Sequence, residues 1–396
     1  MTMETNVCVA MPTEEGIEVH TAAQWMGATH TMISRALNID QNKISVYVNR
    51  IGGGFGMKVS RNTQFAVACS LVVVKLNRPC RFSAPLTVNT KALGKRMPCV
   101  NDYTVAVNST GVIQYINTNI YEDNGYKINE KLSALGYDVY ANCYDVTKFN
   151  YKLFDTITDS AKTTWCRAPG TLETLACIEL TMDRIAYETR LDPIEVRLAN
   201  LDRTEHSIIE EMLDTLKTKA DYVKRREDIE LYNRENRWKK KGLRMNFCRW
   251  APNGYLRYDV NLSIYHTDGT IVLTHSGVEM GQGLNTKAAQ MVAYFLGVSI
   301  DKVQVKGNNS IGSPNAYISG GSLGHQTVLI GVKKCCNEIN NRFDPIRAMN
   351  QNLAWEALVR AAYDNDVDLQ AHGYAGAADA VTYNVYGIGC CEVEVD

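Results

Sequence analysis

The feature of this sequence that most restricts its fold is a design used four times, in which an extended segment enters a Gly- or Pro-rich loop and a helix follows. The four loops are Gly52-Gly-Gly-Phe-Gly56, Arg167-Ala-Pro-Gly170, Gly277-Val-Glu-Met-Gly-Gln-Gly283 and Ser319-Gly-Gly-Ser322. Strands and helices alternating around such loops argue for mixed sheets covered by helices. Glycine lets the backbone approach a ligand closely, and the first N–H groups of the next helix point at it with the positive end of the dipole. One such turn is ordinary structure; four in one chain suit an anionic ligand held mainly by backbone. The common phosphate signatures fail here. A dinucleotide fingerprint needs a third glycine where Met57 follows Gly52 and Gly54, and where Thr286 follows Gly281 and Gly283. A P-loop needs a glycine before its lysine, and Met57 precedes Lys58. His275 and His325 flank two of the loops and read as structural residues, and Glu279 reads as a carboxylate bracing backbone N–H groups.

Periodicity supplies a coarse plan. Ile44 to Val48 alternates as a strand does, and Gln64 to Leu76 reads as a buried helix. Tyr103 to Val107 and Val112 to Asn117 flank a hairpin turn at Asn108-Ser-Thr-Gly111, and Thr171 to Arg190 is a helix stopped ahead of Asp192-Pro193. Residues 205–241 are dense in charge and lack Gly and Pro, the pattern of a water-facing helix joining two halves. A chain of 396 residues is expected to divide, because single cores stop growing at about 250–300 residues. The expected segments are 1–204, 205–241 and 242–396. The last reaches Asp396 within a strand, Cys390 to Val395, and is expected to be C-terminally incomplete.

Composition removes several function classes. Lys plus Arg is 42 and Asp plus Glu is 43, so no overall field draws in nucleic acid or an anionic membrane. The most apolar run, Phe65 to Val74, is far too short to span a bilayer, and no Lys or Arg precedes Arg35 to suggest a secretory leader. A cytoplasmic protein without nucleic-acid or membrane partners is the expectation. The twelve cysteines contain two adjacent pairs and no Cys-x-x-Cys clamp, and the seven histidines contain no His-x-x-x-His pair. Reduced, mostly buried thiols are expected. Any metal would have to arrive on an organic ligand rather than on protein side chains.

Seven runs, in order, resemble the molybdopterin-binding half of the xanthine dehydrogenase and aldehyde oxidase family. They are Arg50-Ile-Gly-Gly-Gly-Phe-Gly56 with Lys58, Gly94-Lys-Arg-Met-Pro98, Arg167-Ala-Pro-Gly170, Glu195-Val-Arg197 with Asn200, Asn233 to Gly242, Gly277 to Gly283, and Tyr386 to Glu394. The resemblance spans essentially the whole chain. It implies an α+β (mixed α/β) chain, in which 1–204 is a first molybdopterin-binding subdomain, 205–241 a charged helical connection and 242–396 a second, truncated subdomain.

The resemblance also implies roles. Gln24 matches the glutamine that reaches an oxygen ligand of molybdenum, Gly54 and Phe55 the backbone cradle beside the metal, and Arg167 the arginine that holds the active-site loops. Met280, Gly281, Gln282 and Gly283 match the loop that grips the pterin and its phosphate, and Tyr317, Ile318, Ser319 and Gly320 the second pterin loop. Molybdenum is carried by the molybdopterin, so no protein metal ligand is implied. Purine-oxidising members carry a Glu and an Arg where Val59 and Leu135 stand, and a purine-packing Phe where Pro169 stands. These departures favour an aldehyde substrate, and the Ala-Pro-Gly loop is similar to that of arthropod aldehyde oxidases. The family's general base is a glutamate in a Gly-x-Gly-Glu context; here Gly387-Ile-Gly389 is followed by Cys390, so no catalytic residue is expected before Asp396. The 2Fe-2S and FAD groups, and the homodimer, are expected only in a full-length enzyme. The expected activity is aldehyde oxidation to a carboxylic acid with water as oxygen source and dioxygen as electron acceptor, and this chain alone is expected to be inactive. A xanthine dehydrogenase and a catalytically dead cofactor-binding remnant are the alternatives.

Overall fold

The computed structural model describes residues 2–396 other than Gly94, Leu132, Asn253, Tyr255, Asn350, Gln351 and Val381. Gly94, which opens one of the seven runs, thus lies outside the described residues. The chain forms two compact units that do not follow its linear order. The first takes Met1–Lys95, Trp165–Arg167 and Asn253–Val381; the second takes Arg96–Thr164, Ala168–Pro252 and Thr382–Asp396. The division into 1–204 and 242–396 therefore describes stretches of sequence, while packing groups the residues differently.

The first unit is built on two themes of the same kind, strand–helix–parallel strand. Ile17–Thr21 leads through the Met26–Leu37 helix to Ile44–Val48, which pairs with it in parallel. Val7–Pro12, Cys80–Ser83 and the short Asn308–Asn309 complete a five-stranded sheet. Both parallel strands bury alternate residues, as the pleat dictates. Likewise Ile271–His275 leads through the Leu284–Leu296 helix to Val303–Val305, again parallel, within a four-stranded sheet that adds Tyr258–Ile264 and Gln370–Ala375. The Gly324–Met349 helix packs on this second sheet, burying Val328, Val332, Cys335, Cys336, Ile339 and Phe343. The run Phe65 to Val74 falls in the Thr63–Leu76 helix, which buries Ala66, Cys69, Ser70 and Val73 and leaves Leu71, Val74 and Leu76 exposed. That helix is half-buried rather than enclosed, because only one of its stripes meets the sheet.

The second unit has a three-stranded sheet, Cys99–Val107, Ile113–Asp123 and Phe149–Thr156, and a long two-stranded ribbon, Lys240–Trp250 with Val385–Val395. The hairpin expected at Asn108 to Gly111 is present: the Asn108 side chain accepts from Thr110 N and Val112 N, and Gly111 has a φ of 77°. The charged stretch is two helices, Ile208–Lys219 and Tyr222–Glu235, with Ile209, Leu213, Tyr222 and Ile229 buried in this unit's core. It is a packed part of the unit as well as a charged surface. Of the twelve thiols, six are buried, five partly buried and one exposed, and none is in a disulfide.

The centre of the second unit is polar. Glu179, on the Thr171–Thr189 helix, accepts from Arg197 Nε at 2.8 Å, Asn142 Nδ2 at 2.8 Å, Tyr144 OH at 2.5 Å and Phe247 N at 3.2 Å. Arg197, 1% exposed, also donates to Asp183 and to the carbonyls of Pro193 and Glu179. Asn200 accepts from Ile113 N and donates to the carbonyls of Gly111 and Val196. The Glu195-Val-Arg197…Asn200 run is therefore a packing device of this unit. Replacing Arg197 with Met would strand a buried carboxylate and should destabilise the second unit by about 3–5 kcal/mol. Urea unfolding of the variant, followed by a probe in that unit, checks this; a loss below about 1 kcal/mol would mean Glu179 is satisfied without its cation.

Candidate active site

Three loops of the first unit lie at the carboxyl ends of its parallel strands. Gln24 sits in the turn after Ile17–Thr21, the Gly52–Lys58 loop follows Ile44–Val48, and the Gly277–Gly283 loop follows Ile271–His275. In open sheets of this kind ligands bind outside the carboxyl ends of strands, because the loops there are free to vary while the strands fix them. Only the Gly277–Gly283 junction is a strand, loop and helix in immediate succession. The Arg167–Gly170 and Ser319–Ser322 loops are each preceded by irregular chain rather than a strand. Residues Gly320-Gly-Ser-Leu-Gly324 spell a nucleophile-elbow pattern and Ser322 has a φ of 61°, but without an incoming strand the elbow geometry is not formed.

Gln24 is the hub of these loops. It is 3% exposed. Its Oε1 accepts from Gly56 N at 2.9 Å and Lys58 N at 3.2 Å, and its Nε2 donates to Ser319 O at 3.0 Å. Its main chain donates to Lys58 O and accepts from Ser319 N at 2.8 Å. A Cβ on Gly54 would stand 2.5 Å from the Gln24 side chain, so glycine is required there by contact. Phe55 has a φ of 53° and is 45% exposed, and its carbonyl accepts from Arg167 N at 2.7 Å. Arg167 is exposed, with a φ of 25°. The loop's other end is tied by Glu4, which accepts from Gly52 N at 2.9 Å and from the fully buried Lys58 Nζ at 2.6 Å. Burial lowers the Lys58 pKa and the Glu4 carboxylate partly restores it.

The Gly277–Gly283 loop is closed on itself. Glu279 Oε1 accepts from Gly281 N at 2.9 Å and Gly283 N at 3.1 Å, and its Oε2 from Asn285 N at 2.9 Å. The expectation that the first helical N–H groups face a ligand is thus corrected: here they face a carboxylate of the protein. Gln282 accepts from Met280 N at 2.7 Å and donates to Val278 O at 2.8 Å. Met280 packs against the core of the first sheet. Gly281 and Gly283 have φ of 100° and 76°, and a Cβ on either would meet open space. Ser319 is buried, its Oγ accepting from Val278 N at 2.8 Å, while Ile318 O accepts from Tyr258 OH at 3.0 Å. Tyr317 is 38% exposed, edge-on to Trp25, and Gly320 is partly buried. Val59 is buried at 2%. In the second unit, Leu135 lies in the short Ser133–Tyr137 helix and Pro169 just ahead of the Thr171–Thr189 helix, each partly buried.

Glu4, Tyr258 and Asn285 carried no signal in the sequence, because each acts through one contact made by folding. His275, 1% exposed, pairs through Nε2 with Asn285 Oδ1 at 3.0 Å, and burial pushes its pKa down to about 4.

Among the described residues no three His, Cys, Asp or Glu side chains are grouped to hold a metal ion. What the loops offer is backbone: open glycine faces at Gly281 and Gly283, and one side-chain N–H left on each of Gln24 and Gln282 once the contacts above are counted. Residues 1–201 match a family described as a molybdopterin cofactor-binding domain, and residues 215–396 match a second family of the same description. The chain belongs to the molybdopterin-binding region of the xanthine dehydrogenase and aldehyde oxidase family. Aldehyde oxidase 4 of Cavia porcellus is 27% identical over 422 residues, covering 100% of this chain and 32% of that protein. Xanthine dehydrogenase/oxidase of Gallus gallus is 28% identical over 423 residues, covering 100% of this chain and 31% of its own length. The chain thus spans about a third of these relatives. Among solved structures, quinoline 2-oxidoreductase from Pseudomonas putida 86 superposes with a TM-score of 0.88 at 19% identity, over 100% of this chain and 57% of that one. Aldehyde oxidoreductase from Desulfovibrio gigas gives 0.83 at 20% identity, over 100% and 46%. These two establish a shared fold. The fit to such a cofactor is good on this chain's own terms: a backbone-lined cradle suits a group that brings its own metal ligands.

Two outcomes test the cradle. Gln24→Ala leaves Gly56 N, Lys58 N and Ser319 O without their partner and should cost about 3 kcal/mol, with faster amide exchange at Gly56 and Lys58; unchanged exchange there would show that the amide is no clamp. For His275 the folded pKa lies below the unfolded one. The associated stability is present above about pH 6.5 and is lost, by about 3 kcal/mol, as pH falls toward 4. His275→Gln should flatten that slope in urea midpoints measured from pH 4 to 8, and an unchanged slope would assign the acid sensitivity elsewhere.

Proposed function

We propose that this chain is the cofactor-holding part of a molybdenum hydroxylase that oxidises aldehydes to carboxylic acids, with water as oxygen source and dioxygen as electron acceptor. Gln24, Gly54, Phe55, Arg167, Met280 to Gly283 and Tyr317 to Gly320 hold the molybdopterin. When bound, that group supplies the two-electron oxidation chemistry. The observation that carries the reading is Gln24, which joins the Gly52–Lys58 and Tyr317–Gly320 loops and still has one N–H for an acceptor. Gly54 keeps the backbone close beside it, and Phe55 and Arg167 fix the turn next to it through one main-chain hydrogen bond.

Aldehyde rather than purine is supported by Val59, apolar and buried where purine-oxidising members carry a glutamate, together with Leu135 and Pro169. None of the three offers a hydrogen bond to orient a polar heterocycle, and a site lacking such partners discriminates against one. The protein works in the cytoplasm as a homodimer of longer chains, which also carry the 2Fe-2S and FAD groups. No Gly-x-Gly-Glu occurs in these 396 residues, so this chain by itself does not turn over substrate.

The test is an assay of the native protein on an aromatic aldehyde and on hypoxanthine. The expected kcat/KM ratio favours the aldehyde by at least about tenfold, or about 1.4 kcal/mol of transition-state discrimination. Preference for hypoxanthine would make the protein a xanthine dehydrogenase. Absence of molybdenum from protein purified out of its own source would instead make it a remnant.

A further inference from the structure

The helix N-terminus that follows the Gly277–Gly283 loop already has an anion, and that anion belongs to the protein. Glu279 is 9% exposed. Its two oxygens take the N–H groups of Gly281, Gly283 and Asn285 at 2.9–3.1 Å. Burial alone would raise the Glu279 pKa, but the N–H groups of Asn285, Gly281, Gly283 and Leu284 outweigh it and hold the carboxyl below the ordinary range. The group is therefore charged, and it sits where the dipole of the Leu284–Leu296 helix favours negative charge. Its main chain is fixed as well: Glu279 O accepts from Ile51 N at 3.0 Å, beside a parallel bridge between Arg50 and Glu279. One residue thus fastens the Gly52–Lys58 loop through its backbone and the Met280–Gly283 loop through its side chain.

We propose that Glu279 is a resident anion and a positioning residue. Its carboxylate fills the place that a ligand's phosphate would otherwise take at the N-terminus of the Leu284–Leu296 helix, and so fixes the loop with its glycine faces open. The loop needs this filling, because Gly281 and Gly283 hold left-handed φ values and no strand pairs with them. Without the carboxylate, three N–H groups would converge on nothing but solvent. Gln282 completes the closure by spanning Met280 N and Val278 O. An anionic ligand arriving at this loop finds the helix amides taken. It is met instead by the main-chain N–H of Gln282, the remaining side-chain N–H of Gln282 and the Cα faces of the two glycines. This last step rests on the molybdopterin reading above, whereas the resident anion does not.

Chemical rescue separates the two. In the chain with Glu279→Ala the thermal midpoint should fall by about 4 °C or more. Sodium formate should restore at least half of that loss, sodium chloride at equal ionic strength should restore none, and the parent chain should respond to neither. Glu279→Gln, which fills the site without charge, should be less stable than the parent and insensitive to formate. Equal responses of the Ala variant to formate and chloride would overturn the proposal. Should the Ala variant fail to fold, amide exchange in the parent decides: Gly281, Gly283 and Asn285 should exchange at least about tenfold slower than exposed-loop amides. Free-loop rates at all three would overturn it equally. Molybdenum content of the native protein reports on the cofactor reading alone, so either reading can fail while the other stands.

Discussion

An irregular loop has no ladder to satisfy its backbone, and a buried N–H without an acceptor costs as much as a lost hydrogen bond. In the first unit the Gly52–Lys58 and Tyr317–Gly320 loops meet part of that constraint through one side chain, the amide of Gln24. Its carbonyl takes two N–H groups of the Gly52–Lys58 loop and its nitrogen gives to Ser319 O, nearly three hundred residues along the chain. The partners also settle which way the amide faces, since two donors can only meet oxygen. Gly54 must be glycine because this amide lies against it, and the positive φ of Phe55 follows from the tight turn that results. Removing the amide would leave the two loops joined through the Gln24 main chain, which donates to Lys58 O and accepts from Ser319 N.

The second unit satisfies its interior by a different means. Glu179 and Arg197 form a charge pair that also consumes a tyrosine, an asparagine and a main-chain N–H. Such a pair adds little over an apolar core of equal volume, yet it is expensive to break from one side. Its effect is to fix how the Thr171–Thr189 and Pro193–Ala199 helices meet the Lys240–Trp250 strand. Glu122, also fully buried, has no such partner among the described residues. Burial, with Asp155 and Glu173 nearby, pushes its pKa up to about 7, so it remains protonated in weak acid.

Much of this was legible in the sequence, for reasons that differ by element. The Ile44–Val48 strand and the Thr171–Thr189 helix announce themselves by period, and Asn108 to Gly111 by turn chemistry. The bracing role of Glu279 followed from a carboxylate set among glycines. The assignment of separated stretches of sequence to one unit was not legible, because nothing local marks residues 165–167 as belonging with residues 1–95. Nor was Glu4, whose hold on Lys58 and Gly52 exists only after folding. The short motif Glu195-Val-Arg197 signalled the family correctly while doing structural work, so family likeness and functional contact are separate properties of a residue.

The wiring of the loops also restricts what the cradle can recognise, whatever the family. Gln24 and Gln282 each commit their carbonyl and one amide proton to backbone, and Glu279 commits both oxygens. What remains uncommitted on these three side chains is N–H. A replacement of either glutamine by glutamate would set an oxygen against Ser319 O or Val278 O, and would take away the remaining donor as well. The cradle is therefore built to donate, and its partner must present acceptors: oxygen ligands, ring nitrogens or phosphate oxygens. An ionised phosphate has that character, since all its oxygens accept. Discrimination among substrates has to come from elsewhere, since a donor lattice of this kind treats every acceptor alike.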